Sequence, residues 1–111
     1  MIELARSNWD AEALAAPTPV LAGFWAEWCM PSRALAGTLE AAATRYEGRL
    51  RVGLVDADRE PALAERYRVQ GLPTVVLLRD GREMLRRVGL LPREDLLELL
   101  DATLGPHAPS S

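Results

Sequence analysis

The sequence predicts a single α/β domain whose central mixed β-sheet is flanked by helices on both faces. Short apolar runs alternate with segments whose apolar residues recur at helical spacing, so the order of elements is β-α-β-α-β-α-β-β-α. Asp80-Gly81, between the last two runs, is a strong signal for a hairpin turn. The alternation favours parallel strand pairs with right-handed crossovers, and the hairpin adds an antiparallel edge.

The first half of the chain predicts two strands and two helices. Residues 2–4 are a short edge strand, and residues 7–10 supply side-chain oxygens that cap a helix ending near Ala15. The continuous apolar run 20–25 is typical of a strand buried on both faces. A helix whose apolar residues recur at helical spacing then extends as far as Gly48.

The second half predicts three strands and two further helices. Buried strands are expected at 51–56 and 74–79, with a short helix between them that opens at Pro61. A returning strand covers 83–88, and a last helix begins at Pro92. The core-facing stripe of that helix contains five leucines, Leu96, Leu97, Leu99, Leu100 and Leu104.

The domain is expected to occupy residues 1–104. The remaining residues, 105–111, read Gly-Pro-His-Ala-Pro-Ser-Ser and are predicted to be a disordered tail. Arg86 and Arg87, on the returning strand, are interpreted as solvated residues of a strand edge. With 49% hydrophobic and 26% charged residues, the composition is that of an ordinary globular domain.

Residue usage excludes several kinds of chemistry and several partners. All 13 basic residues are arginine, so a Schiff-base lysine is impossible, and the one histidine, His107, lies in the predicted tail. One cysteine excludes an internal disulfide and a multi-cysteine metal site within the chain, and we predict neither a metal nor a cofactor. The net charge of -3 without a basic block argues against nucleic acid, and no apolar run is long enough for a membrane helix. A lone thiol and an N-terminus without an apolar signal core favour a cytoplasmic location.

Cys29 is the residue most clearly placed for chemistry. A buried strand runs into a tight turn, and the cysteine stands where the next helix begins. Unpaired backbone N–H groups and the helix dipole stabilise negative charge at such a position. Pro31 suits a first helical turn, since its missing N–H would be unpaired there anyway. We therefore predict that Cys29 is a nucleophile.

The sequence resembles the thioredoxin family over residues 2–104. The motifs that carry the resemblance are Phe24-Trp25-Ala26-Glu27-Trp28-Cys29, Asp56-Ala57-Asp58 with Pro61, Tyr67-Arg68-Val69-Gln70-Gly71-Leu72-Pro73-Thr74, Asp80-Gly81, Gly89 and the leucine-rich last helix. The resemblance implies the thioredoxin fold, with Cys29 as the attacking cysteine and Pro73 as a cis-proline facing it. It also implies a shallow apolar substrate groove, to which we assign Trp28, Met30, Pro31, Leu72, Pro73 and Gly89.

The chain departs from the family pattern at four positions, and three of them, Ser32, Gly23 and Leu54, affect the step that resolves a mixed disulfide. Ser32 replaces the second cysteine, and Met30 replaces the usual glycine. A serine hydroxyl can hydrogen-bond to the Cys29 thiolate, so we include Ser32 among the catalytic residues, but it cannot displace sulfur from a disulfide. Gly23 and Leu54 replace the family's buried aspartate and its lysine partner.

The sequence thus predicts a thioredoxin-like monothiol protein with isomerase-like or deglutathionylating activity. Cys29 attacks a protein or glutathione disulfide, and an external thiol releases the mixed disulfide. The protein is expected to be a monomer that can form a Cys29-linked dimer on oxidation. Three alternatives stay open: a binding or scaffold module with an unused thiol, a dithiol thioredoxin in which Ser32 was engineered from cysteine, and a subunit that bridges an iron–sulfur cluster as one-cysteine glutaredoxins do.

Overall fold

The structure, a computed structural model, describes residues 1–105. The predicted disorder of the tail concerns residues 106–111, which lie outside the described part. Five strands form one sheet: β1 (Ile2–Glu3), β2 (Val20–Trp25), β3 (Arg51–Asp56), β4 (Thr74–Arg79) and β5 (Arg82–Val88). Four α-helices, α1 (Met30–Arg33), α2 (Leu35–Arg45), α3 (Pro61–Arg66) and α4 (Arg93–Leu104), and a π-helix (Asp10–Leu14) accompany it. The predicted α/β class and element order are confirmed.

The sheet is mixed, with strand order β1-β3-β2-β4-β5. β3 runs parallel to β1 and β2, whereas β4 runs antiparallel to both β2 and β5. The expectation that antiparallel pairing is confined to the closing hairpin is therefore wrong. The chain re-enters the sheet at the end where β2 and β3 finish, with Thr74 opposite Phe24.

Each face of the sheet carries its own apolar core. On one face the π-helix and α3 cover the sheet, and Trp9 donates its indole N–H to the Tyr67 hydroxyl at 3.0 Å. On the other face α2 and α4 pack together through side chains that are almost fully buried, Leu35, Leu39, Leu96 and Leu100. Both faces are thus closed by helices, as expected.

Three local expectations differ from the structure. The Asn8 side chain binds the Ala5 N–H at 2.8 Å and the Glu3 carbonyl at 2.9 Å, so it fixes a turn and does not cap the following helix, which is a π-helix. The long helix after Cys29 is broken at Ala34 into α1 and α2. Leu99 is half-buried and stands outside the core cluster that holds the other leucines of α4, since its position faces away from α2.

A partly buried polar contact joins the end of α2 to α4. The Arg45 guanidinium donates to both carboxylate oxygens of Asp101, at 3.2 and 2.7 Å, and the Tyr46 hydroxyl also donates to this carboxylate. Burial, followed by the contact with Asp101, raises the pKa of Tyr46 from 10.0 to about 12. A tyrosinate at this position would lie in the core beside a carboxylate.

Because of this contact, the free energy of unfolding should change with pH in the alkaline range. Between pH 10 and about 12 the unfolded tyrosine loses its proton before the folded one does, so the stabilisation is complete below pH 10 and is lost as pH rises. We expect the free energy of unfolding to fall by about 1 kcal/mol per pH unit in this window. In urea titrations Tyr46→Phe should flatten the slope and Tyr67→Phe should keep it, because Tyr46 remains. An unchanged slope in Tyr46→Phe would contradict the assignment.

Candidate active site

Cys29 lies between the end of β2 and the start of α1. Its N–H donates to the Ala26 carbonyl at 3.1 Å, and its carbonyl accepts the N–H groups of Ser32 and Arg33 at 3.0 and 3.2 Å. Its backbone is extended, with φ -97° and ψ 102°, as a residue at a helix N-cap requires. The half-buried thiol therefore stands at the N-terminus of α1, where the sequence pattern places it.

Ser32 is buried and its hydroxyl is engaged by backbone. The oxygen accepts the Ala26 N–H at 3.0 Å and lies 2.9 Å and 2.8 Å from the carbonyls of Ala26 and Cys29, to which it can donate. These contacts tie the first turn of α1 to the end of β2. Within residues 1–105 the described hydrogen bonds of this hydroxyl are all to backbone, and none is to the sulfur of Cys29.

The segment that leads into β4 forms the opposite wall of the site. The Leu72–Pro73 peptide bond is cis, and the Cys29 thiol donates to the Leu72 carbonyl with an Sγ–O distance of 3.6 Å. The Pro73 carbonyl accepts the N–H of Gly89 at 2.8 Å, which joins this segment to the residue after β5. Gly89 has φ +95°, a conformation that glycine adopts without strain. The structure thus brings Leu72, Pro73 and Gly89 to the side of Cys29.

An exposed apolar rim flanks the thiol. Trp28 and Met30 are each 69% exposed, and Pro31 beside them is also exposed. The Trp28 indole N–H donates to the Asp58 carboxylate at 3.1 Å, and the Arg33 guanidinium donates to the Met30 sulfur at 3.4 Å. These polar contacts hold two large apolar side chains at the surface, where a partner can bury them.

Val88 and Leu90 are two further exposed apolar residues, next to the segment that contains Leu72 and Pro73, and they were not predicted from the sequence. They are 63% and 52% exposed, and they flank Gly89. Val88 ends β5, and its methyl group would lie 3.0 Å from a Cβ placed on Gly71. The sequence signal for these two residues was an apolar pair around a glycine just after the hairpin. That the pair lies beside residues 71–73 depends on the strand order, which the signal does not contain.

Apolar side chains pack against Gly23 on β2. A Cβ on Gly23 would lie 2.6 Å from Leu39 and 2.7 Å from Leu35, so α2 occupies the place of any larger side chain at this position. Leu54, opposite Gly23 on β3, packs against the same core. A cavity of about 200 Å³ remains behind α1, and carboxylates are absent from its lining, Trp25, Ser32, Arg33, Ala36 and Leu54. Nothing in this lining can accept a proton from a buried thiol.

The described part of the chain offers no other obvious chemical site. Residues 1–105 contain no group of three or more histidine, cysteine, aspartate or glutamate side chains that could hold a metal ion. Over the same residues no helix has the length and apolar character needed to cross a membrane.

Comparison with known proteins defines the family. The family model described as thioredoxin matches residues 1–102. The chain is 33% identical over 104 residues to a thioredoxin of Pseudomonas aeruginosa, covering 94% of this chain and 96% of the relative. It is 39% identical over 84 residues to a thioredoxin of Staphylococcus aureus, covering 76% and 81%. The chain therefore belongs to the thioredoxin family, whose chemistry is thiol–disulfide exchange.

Plant relatives are longer. A chloroplastic M-type thioredoxin of Zea mays is 35% identical over 98 residues, which are 88% of this chain but 59% of the relative. The chain thus spans little more than half the length of this relative.

Proposed function

We propose that the protein exchanges thiols with disulfides through Cys29 as its one sulfur nucleophile. In the first step the Cys29 thiolate attacks one sulfur of a partner disulfide, forming a mixed disulfide and releasing the other sulfur as a thiolate. In the second step an external thiolate, or a second thiol of the substrate, attacks the partner's sulfur and returns Cys29 as a thiolate. The partner disulfide is the oxidant, so neither a metal nor a cofactor is required.

The observation that carries this proposal is the position of the Cys29 sulfur. The sulfur stands at the start of α1, 3.6 Å from the Leu72 carbonyl, between two exposed apolar side chains. The chain has no second cysteine to complete an intramolecular step. In this scheme Ser32 holds the turn that presents the thiol. The substrate contacts are assigned to Trp28, Met30, Pro31, Leu72, Pro73 and Gly89.

The packing around Gly23 supports a protein that is built with one thiol. A dithiol thioredoxin with only Ser32 altered would keep the buried acid and its partner, whereas here Gly23 and Leu54 stand at those positions and the side chains of Leu35 and Leu39 pack against Gly23. We infer that Ser32 is native. Protein and glutathione disulfides are the proposed partners of a reduced monomer in a reducing compartment such as the cytoplasm.

Oxidised glutathione tests the proposed function. Incubation at neutral pH should convert the protein to a species with one glutathione on Cys29, together with a Cys29-linked dimer at high protein concentration. Intact-mass analysis under non-reducing conditions measures both products, and dithiothreitol should restore the starting mass. Cys29→Ala is the control and should stay unmodified. Unmodified wild-type protein after treatment would show that the thiol does not take part in exchange.

A further inference from the structure

The segment Tyr67–Leu72, here called the β4 approach, connects α3 to the cis-proline that precedes β4. Its last carbonyl, on Leu72, is the group nearest the Cys29 sulfur, at 3.6 Å. Its second residue, Arg68, has φ +53°, a left-handed conformation that residues other than glycine rarely adopt. This conformation belongs to the C-terminal cap of α3, in which the Arg68 N–H donates to the Glu65 carbonyl at 3.0 Å and the Val69 N–H donates to the Ala64 carbonyl at 2.8 Å.

Arg86 on β5 contacts this capped end of α3 from outside the β4 approach. Its Nη2 donates to the Tyr67 carbonyl at 2.6 Å, and its Nη1 lies 3.5 Å from the Arg68 carbonyl. The guanidinium is fixed in turn by Glu83, through Nε–Oε2 and Nη2–Oε1 contacts of 2.7 and 2.8 Å. The hydrogen bond to Arg86 keeps the pKa of Glu83 below its usual range, so the pair is ionised at neutral pH. Arg86 therefore contacts three residues, Tyr67, Arg68 and Glu83. It lies on an edge strand as expected, and Arg87 is exposed there, but the Arg86 side chain is engaged by these partners and not simply solvated.

β5 and the residue after it also contact the far end of the β4 approach. Val88 lies against Gly71, and the Gly89 N–H binds the Pro73 carbonyl at 2.8 Å. The Thr74 hydroxyl closes this end by donating to the Gly71 carbonyl at 2.6 Å. Both ends of the approach thus contact β5 or the residue after it. Arg86 is the charged side chain that contacts the end formed by Tyr67 and Arg68.

We propose that Arg86, held by Glu83, is a positioning residue that fixes the β4 approach for polypeptide disulfides. The inference rests on the proposed function. A polypeptide that attacks or is attacked at Cys29 must place its backbone beside Leu72, so its reaction depends on where the approach lies. A small disulfide without a backbone needs only the sulfur of Cys29. Loss of Arg86 should therefore slow the reaction with polypeptide disulfides but not the reaction with small disulfides.

The test compares Arg86→Gln with Arg87→Gln, its neighbour on β5, whose one described hydrogen bond is to the Arg86 carbonyl. The second-order rate constant for mixed-disulfide formation is measured with a disulfide-bridged peptide and with a small aromatic disulfide. Loss of a charge-assisted anchor should lower the peptide rate constant about tenfold in Arg86→Gln. The aromatic disulfide should react within about twofold of wild type, and Arg87→Gln should match wild type with both reagents.

Amide hydrogen exchange provides a second measurement that does not depend on chemistry at Cys29. Amide exchange at residues 69–72 should be faster in Arg86→Gln than in Arg87→Gln. Arg86→Lys should restore part of the protection, because an ammonium group can bind one carbonyl but cannot reproduce the several N–H donors of the guanidinium. Equal slowing with both disulfides, or no change in either measurement, would overturn the positioning role. Reaction of the wild-type protein with the aromatic disulfide but not with the peptide would overturn the role of Arg86 toward polypeptides. If the wild-type protein reacts with neither disulfide, the proposed function fails, and amide hydrogen exchange alone decides whether Arg86 orders the approach.

Discussion

Gly23→Asp should be among the most destabilising single substitutions in this protein. The new Cβ would lie 2.6 and 2.7 Å from Leu39 and Leu35, so one or both leucines must leave their packed positions. Overpacking of this kind costs about 1–3 kcal/mol, and a buried carboxyl without a partner adds about 1–3 kcal/mol. We therefore expect a loss of about 2–6 kcal/mol in the free energy of unfolding, measured by urea titration, which is a large part of a domain's stability.

Two variants separate the causes of this loss. Gly23→Ala introduces only the Cβ and should show the steric part. Gly37→Asp places the same charge on α2 where a Cβ would meet nothing within 4 Å, and it should change stability by less than about 1 kcal/mol. If Gly23→Asp were as stable as Gly37→Asp, the core would have room for a buried acid, and a dithiol ancestor with an engineered Ser32 would explain the chain better.

Ser32→Ala should damage the site more than the loss of one hydroxyl usually does. It leaves the N–H of Ala26, a fully buried residue, without its 3.0 Å partner. An unsatisfied buried donor costs about 1–3 kcal/mol, and the turn that orients Cys29 loses its cross-link. We expect this loss in urea titrations, accompanied by a changed rate of Cys29 alkylation at pH 7.

Thr103→Ala is the matched control for this effect. The Thr103 hydroxyl also donates to a backbone carbonyl, that of Leu99, at 2.8 Å, but it lies on α4 and is partly exposed. Its removal should cost less than about 1 kcal/mol and leave Cys29 alkylation unchanged. Equal effects of the two substitutions on stability and alkylation would mean that Ser32 has no special role in holding the thiol.

Local patterns were sufficient to predict the strands and the position of Cys29. The bounds of β2, β3 and β4 agree with the predicted runs, because a strand buried on both faces is a continuous apolar segment with polar or turn residues at its ends. The start of α1 was predictable from the strand–turn–helix order and from Pro31. These signals lie within a few residues of one another.

Features that depend on distant contacts were not predictable in this way. The direction of β4 is seen in its pairing with β2, and the contacts of Arg86 depend on the carbonyls of Tyr67 and Arg68 lying across from β5. The hydroxyl of Ser32 had two possible partners, sulfur or backbone, and only the fold of the Ala26–Cys29 turn selects the backbone. In each case the sequence spacing is compatible with more than one arrangement.

In the function we propose, the fold increases the rate at which Cys29 attacks a disulfide. The most direct measurement compares the rate constant for mixed-disulfide formation of the folded protein with that of a free peptide spanning residues 25–33, using the same peptide disulfide at pH 7. We expect the folded protein to react about tenfold faster or more than the free peptide. The rate at which the mixed disulfide is released should be proportional to the concentration of added thiol. A folded protein that reacts no faster than the free peptide would contradict the claim and favour a binding module with an unused thiol.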